Sequence, residues 1–389
     1  MKKIILTIVL MTCFLLCGCM DRIEIDRKIF ISTIGIGMGK DIDKKQSIVK
    51  PDDPFPETDL EKLSVTYAFP AINDAGGGKI GTFNEKTINV NAYSMEDSNN
   101  KATVKSSRVI SFGHTKVLML GSEFLRHPDT VKEVVDYLER QPSLNRMMTV
   151  VIADGKAEDY VKFKPDMEKN IQTYITGLME NSEKSSTVPS VTLNDFIKML
   201  NENGNASLPV LKIDKTKNEI EISGLGLIKN YAYVGNLSIN ETSNLELLSG
   251  KLKSGTHPIF IEGHPVDFTI DSMKRKVEMK SNDDKLEFDI QLKVEGQIKG
   301  YSAGKQVFSK EFLSNIENDL NKSMKIESET IAKKVQNEYS VDILDLRENV
   351  RKYHPKTWNK VKDNWEDAYK KADIRVTVNS KIRRIGVIE

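Results

Sequence analysis

Three cysteines, five histidines and scattered carboxylates are the groups through which this chain could do chemistry. His114, His127, His257, His264 and His354 are dispersed, and none stands four residues from another with a glutamate between. No cysteine lies beyond Cys19 to complete a zinc set. His257 and His264 flank a proline-containing segment without a further ligand nearby, so no metal is expected there. No Gly-x-Ser-x-Gly elbow marks a serine nucleophile. Asp136 and Glu139 lie one turn apart on a helix face opposite its valines, where paired carboxylates are solvated charges rather than an acid–base pair. Gly76-Gly77-Gly78 lacks the lysine and helix start of a phosphate-cradling loop and reads as a loop tip. Trp358 and Trp365 share a helix whose other face is charged, and they read as core rather than as a ligand-stacking pair. No catalytic residue, cofactor or resident metal is expected.

The remaining chemistry is at the start of the chain. Lys2 and Lys3 precede an apolar run from Ile4 to Leu16, and Gly18 stands directly before Cys19. This is the charged, apolar and small-residue order of a secretory signal. At ~1.5 Å per residue the run spans about 20 Å, short of the ~30 Å needed to cross a bilayer core. A cysteine exposed by cleavage after Gly18 can carry a thioether-linked diacylglycerol, so the pattern resembles a bacterial lipoprotein signal. Two acyl chains hold a soluble body stably where one does so marginally. Cys13 and Cys17 would leave with the signal, and no disulfide could form in the mature chain.

Length and composition point to a folded body of two or three domains. The chain has 389 residues, 39% hydrophobic and 29% charged, too apolar for a disordered chain. Its formal charge of +1 falls to about −1 when Lys2 and Lys3 leave, which argues against a nucleic-acid partner.

Patterning then lays out the elements that would position any site. Residues 29–36, 63–69, 87–92, 114–120 and 147–153 read as strands, and residues 95–105 as a weak helix. A second helix is capped by Asp129 and buries Val131, Val134, Val135 and Leu138; a third carries Ile171, Tyr174, Ile175 and Leu178. Residues 182–189 read as a linker, and Thr192 with Asp195 as a capping box. Short strands at 208–213, 219–222 and 225–234 and a helix over 240–249 form a small middle lobe. Leu286, Phe288, Ile290, Leu292, Val294 and Ile298 alternate with polar residues, the mark of an antiparallel strand with one wet face, pairing with residues 268–280 through Asn282-Asp283-Asp284. A long helix from Ser309, a second over 342–353, a third with Pro355 at its first position, and a closing strand around Ile374, Val376 and Val378 follow. The expected class is α+β: a multi-domain mixed body whose C-terminal antiparallel sheet packs against long helices. The expected division is a signal (1–18), an N-terminal domain (19–185), the middle lobe (186–255) and a C-terminal domain (256–389).

Certain stretches carry a resemblance. Cys19-Met20-Asp21-Arg22-Ile23-Glu24-Ile25 and Phe30-Ile31-Ser32-Thr33-Ile34-Gly35-Ile36 resemble the opening of the Ger(x)C spore germination lipoproteins. Residues 113–121 are similar to that family's His-x-Lys strand, residues 136–146 to its Arg-containing helix end, and residues 224–238 to its middle strands. Residues 339–344, Trp358 and Trp365 are similar to its C-terminal helices. The resemblance implies a three-domain mixed α/β body without known enzymatic activity, acting as the C subunit of a nutrient germinant receptor. It implies a place on the outer surface of the spore inner membrane, anchored in lipid through Cys19 beside the integral-membrane A and B subunits, and a need for it in receptor assembly or signalling. Asp21, Arg22, Glu24, Arg140 and Arg146 match recurrent positions, as partner contacts or as local caps and pairs.

Two other functions fit an exported, lipid-anchored chain. A solute-binding lipoprotein feeding a transporter would have two lobes of parallel βαβ units, unlike the C-terminal order of hairpin, helices and return strand. An anchored hydrolase would need the nucleophile or metal set that the sequence lacks.

Overall fold

The computed structural model describes residues 25–44, 60–70, 85–252, 255–261, 264–282, 285–301 and 309–385. In chain order the N-terminal part comprises β1 (Lys28–Phe30), β2 (Thr33–Met38), β3 (Leu63–Pro70), β4 (Glu85–Ala92), α1 (Met95–Val104), β5 (Val109–Ser111), β6 (Val117–Gly121) and α2 (Pro128–Arg140). It continues with β7 (Thr149–Ala153), α3 (Ala157–Val161), α4 (Ile171–Ser185), α5 (Leu193–Asn203), β8 (Ala206–Asp214), β9 (Glu219–Lys229) and β10 (Ala232–Ser238). Eight of these strands form one sheet in the order β10-β9-β8-β7-β6-β2-β3-β4. Its centre, β2-β6-β7-β8, is parallel, with an antiparallel pair added on each side.

A parallel centre must be covered on both faces, and β6 and β7 are accordingly apolar but for Thr149 at the start of β7. Leu118, Leu120, Val150 and Ile152 face α2 and α5, while Val117, Met119, Val151 and Ala153 face α3 and α4. Gly35 of β2 permits the close seat of α3, since a Cβ there would meet Val161 Cγ2 at 2.6 Å. β2, β4, β6, β7, β8 and β10 all run the same way, so their first residues define one end of the sheet.

The second part follows from α6 (Ile239–Ser249): β11 (Gly255–Ile261), β12 (His264–Asn282), β13 (Lys285–Tyr301), α7 (Lys310–Lys334), α8 (Leu346–Tyr353), α9 (Pro355–Val361), α10 (Trp365–Lys371) and β14 (Asp373–Ile385). Its sheet runs β11-β12-β13-β14. The alternation read in β13 is realised. Leu286, Phe288, Ile290, Leu292, Val294 and Ile298 are buried beneath Ile316, Leu320, Met324 and Ile331 of α7. On the wet face Lys280 pairs with Asp289 (3.2 Å) and Arg383 with Glu295 (2.6 Å). β12 pairs with β13 from Val266 to Asn282 as expected; residues 283–284 of the turn lie outside the described residues. α7 also closes the sheet edge. Backbone N–H groups of Val376, Ser380 and Ile382 donate to Glu329 (3.3 Å), Asn321 (2.6 Å) and Glu317 (2.9 Å).

The structure corrects several local expectations. Residues 29–36 are not one strand: among the described strands β1 pairs with β5 alone, and the chain crosses at Ile31-Ser32 into the large sheet as β2. His127 rather than Asp129 occupies the N-cap position of α2, without a side-chain capping bond, because Pro128 takes the first helical position. Residues 182–189 are a knot rather than a linker. α4 runs to Ser185, buried Ser182 accepts from the Val188 N–H at 3.0 Å, and Val188 itself is buried. β8 to β10, expected in a separate lobe, extend the N-terminal sheet, while Leu225, Leu227 and Leu237 lie in the C-terminal core. β14 runs parallel to β13, not antiparallel, since the intervening helices carry the chain back to the sheet's starting end. The helix expected from Asp342 begins at Leu346, and the tryptophan helix breaks into α9 and α10, leaving Trp358 and Trp365 half-buried.

Candidate functional site

The chain enters the fold at a splice. Ile31 N–H donates to Ser111 O (3.0 Å), Ser32 N–H to Ala68 O (2.9 Å), and Lys116 N–H to Ser32 O (2.9 Å). Two residues thus tie β5, β3 and the start of β6 together. The stretch that resembled a His-x-Lys strand serves this splice. His114 sets its ring edge-on to Phe30 at 4.8 Å, and buried Thr115 donates to Ile31 O at 3.3 Å. Ser32 Oγ reaches Glu85 Oε1 (3.1 Å), and the Ile171 N–H donates to Glu85 Oε2 (3.1 Å). Burial raises the Glu85 carboxyl above its ordinary value, and these two donors oppose the rise.

Beside the splice, at the strand-start end of the sheet, lies a cleft of about 330 Å³. Ile29, Phe30, Phe69, Pro70 and Ile88 give it apolar walls; Lys28, Lys86, Lys105 and Arg108 give it four cations, and no carboxylate lines it among the described residues. Lys105 donates to Asn89 O at 2.9 Å, while Lys28, Lys86 and Arg108 make no ion pair among the described residues. Lys86 also borders a second basin of about 620 Å³ with Lys162, Lys164 and Lys169, where Glu85 and Glu168 offset the charge. Sequence reasoning missed this cleft because its cations are spread from Lys28 to Arg108 in a near-neutral chain.

Of the residues singled out from sequence, Cys19, Asp21, Arg22 and Glu24 lie outside the described residues. Arg140 pairs with Asp136 at 2.8 Å on the exposed end of α2, and Arg146 donates to Glu139 O. Both lie just before β7, at the same end of the sheet as the cleft, but they do not line it. Glu139 also accepts from Asn201 Nδ2 at 3.0 Å, so Asp136 and Glu139 are engaged with different partners. His127 meets Asp43 at 2.8 Å, and the side chains of His257 and His264 are outside the described ones. Among the described residues no three His, Cys, Asp or Glu side chains are grouped as a metal site requires. No helix among them is long and apolar enough to cross a membrane.

A second polar cluster, also missed, lies inside the C-terminal part. Asp342 is buried and accepts the N–H groups of Leu344 (3.2 Å), Leu346 (3.2 Å) and Arg347 (2.7 Å), fixing the entry to α8. Burial pushes its carboxyl up to about 6 against the pull of those donors. Arg275 of β12 donates to Leu344 O at 2.9 Å, and Gln336 donates to Tyr369 O (2.6 Å) and Ala372 O (2.8 Å). Trp358 meets Trp365 in a tilted pair at 6.1 Å, Trp365 stacks on Tyr369 at 6.3 Å, and the Arg347 guanidinium lies 5.0 Å from the Trp358 ring centre.

This architecture has known counterparts. Residues 21–213 match the family described as "Spore germination protein N-terminal domain", and residues 223–386 the one described as "Spore germination B3/ GerAC like, C-terminal". Spore germination protein B3 of Bacillus subtilis is 25% identical over 96% of this chain and 95% of its own. Spore germination protein GerQC of Bacillus cereus is 24% identical over 86% of this chain and 90% of its own. The crystal structure of the GerBC protein superposes with a TM-score of 0.59 at 25% identity, covering 82% of this chain and 94% of that one. With both family domains present in order and nearly end to end, the chain belongs to the GerAC-like family of spore germination proteins.

Proposed function

We propose that the protein is a lipid-anchored, non-enzymatic subunit of a spore nutrient germinant receptor, needed for receptor assembly or signalling. In this reading acylated Cys19 holds it at the outer surface of the spore inner membrane beside the integral-membrane A and B subunits. The observation that carries the reading is the pairing of two family domains with a lipoprotein-type start. The splice supports it mechanically, since the described chain passes from Ile25 through β1 and the Ile31-Ser32 crossing into β2 of the large sheet's parallel centre. Arg140 and Arg146, at that same end, are the described candidates for partner contact; Asp21, Arg22 and Glu24 are candidates within the tether itself.

The test is complementation of a deletion strain with the wild-type gene or with Cys19→Ala. The expected result is loss of the nutrient-triggered response and of co-purification with the integral-membrane subunits in the variant. Normal germination with Cys19→Ala would overturn the reading. Calorimetric titration of the purified protein separates it from a solute-binding role: micromolar binding of one free nutrient would favour the latter.

A further inference from the structure

The cleft beside the splice gathers Lys28, Lys86, Lys105 and Arg108 against apolar walls with no carboxylate among its described lining residues. The chain as a whole is close to neutral, so this is a local excess of charge. Its position is constrained by the tether. At ~3.3–3.6 Å per residue, the segment between Cys19 and Lys28 reaches at most about 32 Å. The tether also ends in Ile25, 75% exposed, and exposed Arg27. The β8–β9 turn, with Lys215, lies at the opposite end of the sheet.

From these facts we propose that the cleft seats the anionic headgroups of the bilayer that carries the anchor, so that the body stands on the membrane by its strand-start end. The proposal rests on the anchor reading of Cys19. A phosphate ester complements four cations with no competing carboxylate among the described lining residues, and the apolar walls of Phe30 and Phe69 suit the glycerol and upper acyl region beside it. The bilayer is favoured over a free anion because the tether holds this rim, and not the Lys215 end, within reach of the surface.

The test uses the full acylated protein with one introduced thiol, Ser107→Cys at the cleft or Lys215→Cys at the far end, bearing a fluorophore. It is reconstituted in vesicles of phosphatidylcholine alone or mixed with phosphatidylglycerol, each containing a lipid-borne quencher. At about fivefold in binding per engaged cation, quenching at Ser107→Cys should be at least about threefold stronger in the anionic vesicles. Added salt should weaken that difference, and Lys28→Gln with Lys86→Gln and Arg108→Gln should abolish it. These three side chains have no ion pair to lose among the described residues; Lys86→Glu alone provides a milder variant and should reduce the difference. Equal quenching in both lipids, or equal quenching at Lys215→Cys, overturns the proposal. So does erasure of the difference by inorganic phosphate at matched ionic strength, which would make the cleft a small-anion site. A second labelled thiol, at Cys19, would instead mean that the anchor is missing, which separates the two failures.

Discussion

The basic cleft and the Asp342 cluster keep their charges in opposite ways. At the cleft, cations at the surface lack carboxylate partners among the described lining residues, and the strands beneath are held by backbone bonds and apolar packing. Around Asp342 the charge is buried, and three backbone N–H groups converge on it. An exposed cation costs the fold little and remains available to a ligand, whereas a buried carboxylate is committed to its own chain. The first arrangement therefore reads as a binding surface and the second as a structural joint, although both are clusters of charged residues.

Substitutions can break this contrast. The largest effect should come at the joint. Asp342→Ala leaves the buried Leu344 and Leu346 N–H groups and the half-buried Arg347 N–H without their acceptor and should cost about 3 kcal/mol in urea denaturation. The pH response should follow Asp342. Its folded value is raised from 3.8 to about 6, so between those limits the folded protein holds a proton that the unfolded chain releases. Stability from this group is full below pH ~4, declines as pH rises to ~6, and is flat above, a change of up to about 3 kcal/mol. Asp342→Asn should flatten that slope in denaturation curves taken across the window; an unchanged slope would assign it to other carboxyls.

Thr192→Ala should cost about 1 kcal/mol, since its side chain accepts the Asp195 N–H (3.2 Å) in a complete capping box. At the cleft, Lys86→Gln should shift stability by no more than about 0.5 kcal/mol while changing lipid dependence. A loss comparable to that of Asp342→Ala would dissolve the distinction between surface and joint. Arg140→Ala should be smallest, within about 0.5 kcal/mol, because its pair with Asp136 is exposed. If it nevertheless reduces co-purification with the membrane subunits, Arg140 is a partner contact rather than a local pair.

The same contrast explains what could be read from sequence. The β13 alternation and the Thr192 capping box each depend on residues near in sequence, and they appear as expected. The cleft draws on β1, β4, α1 and the loop before β5, which only the sheet order brings together. Asp342 looked like a helix start because a capping aspartate and an aspartate folded inward onto the next turn share the same local sequence. The Ile31-Ser32 crossing was hidden because residues 29–36 read as one mostly apolar, β-branched run with no break in the pattern. Reading β8–β10 as a lobe of its own failed to anticipate the larger sheet, since periodicity marks a strand but not its neighbours.

The central claim is that a modified Cys19 holds this body at the bilayer. Intact-mass spectrometry of the native protein from spore inner membranes measures that modification directly. The account predicts a chain beginning at residue 19 with a diacylglyceryl thioether on its sulfur. A retained leader, or a mature N-terminus without acyl chains, would contradict it.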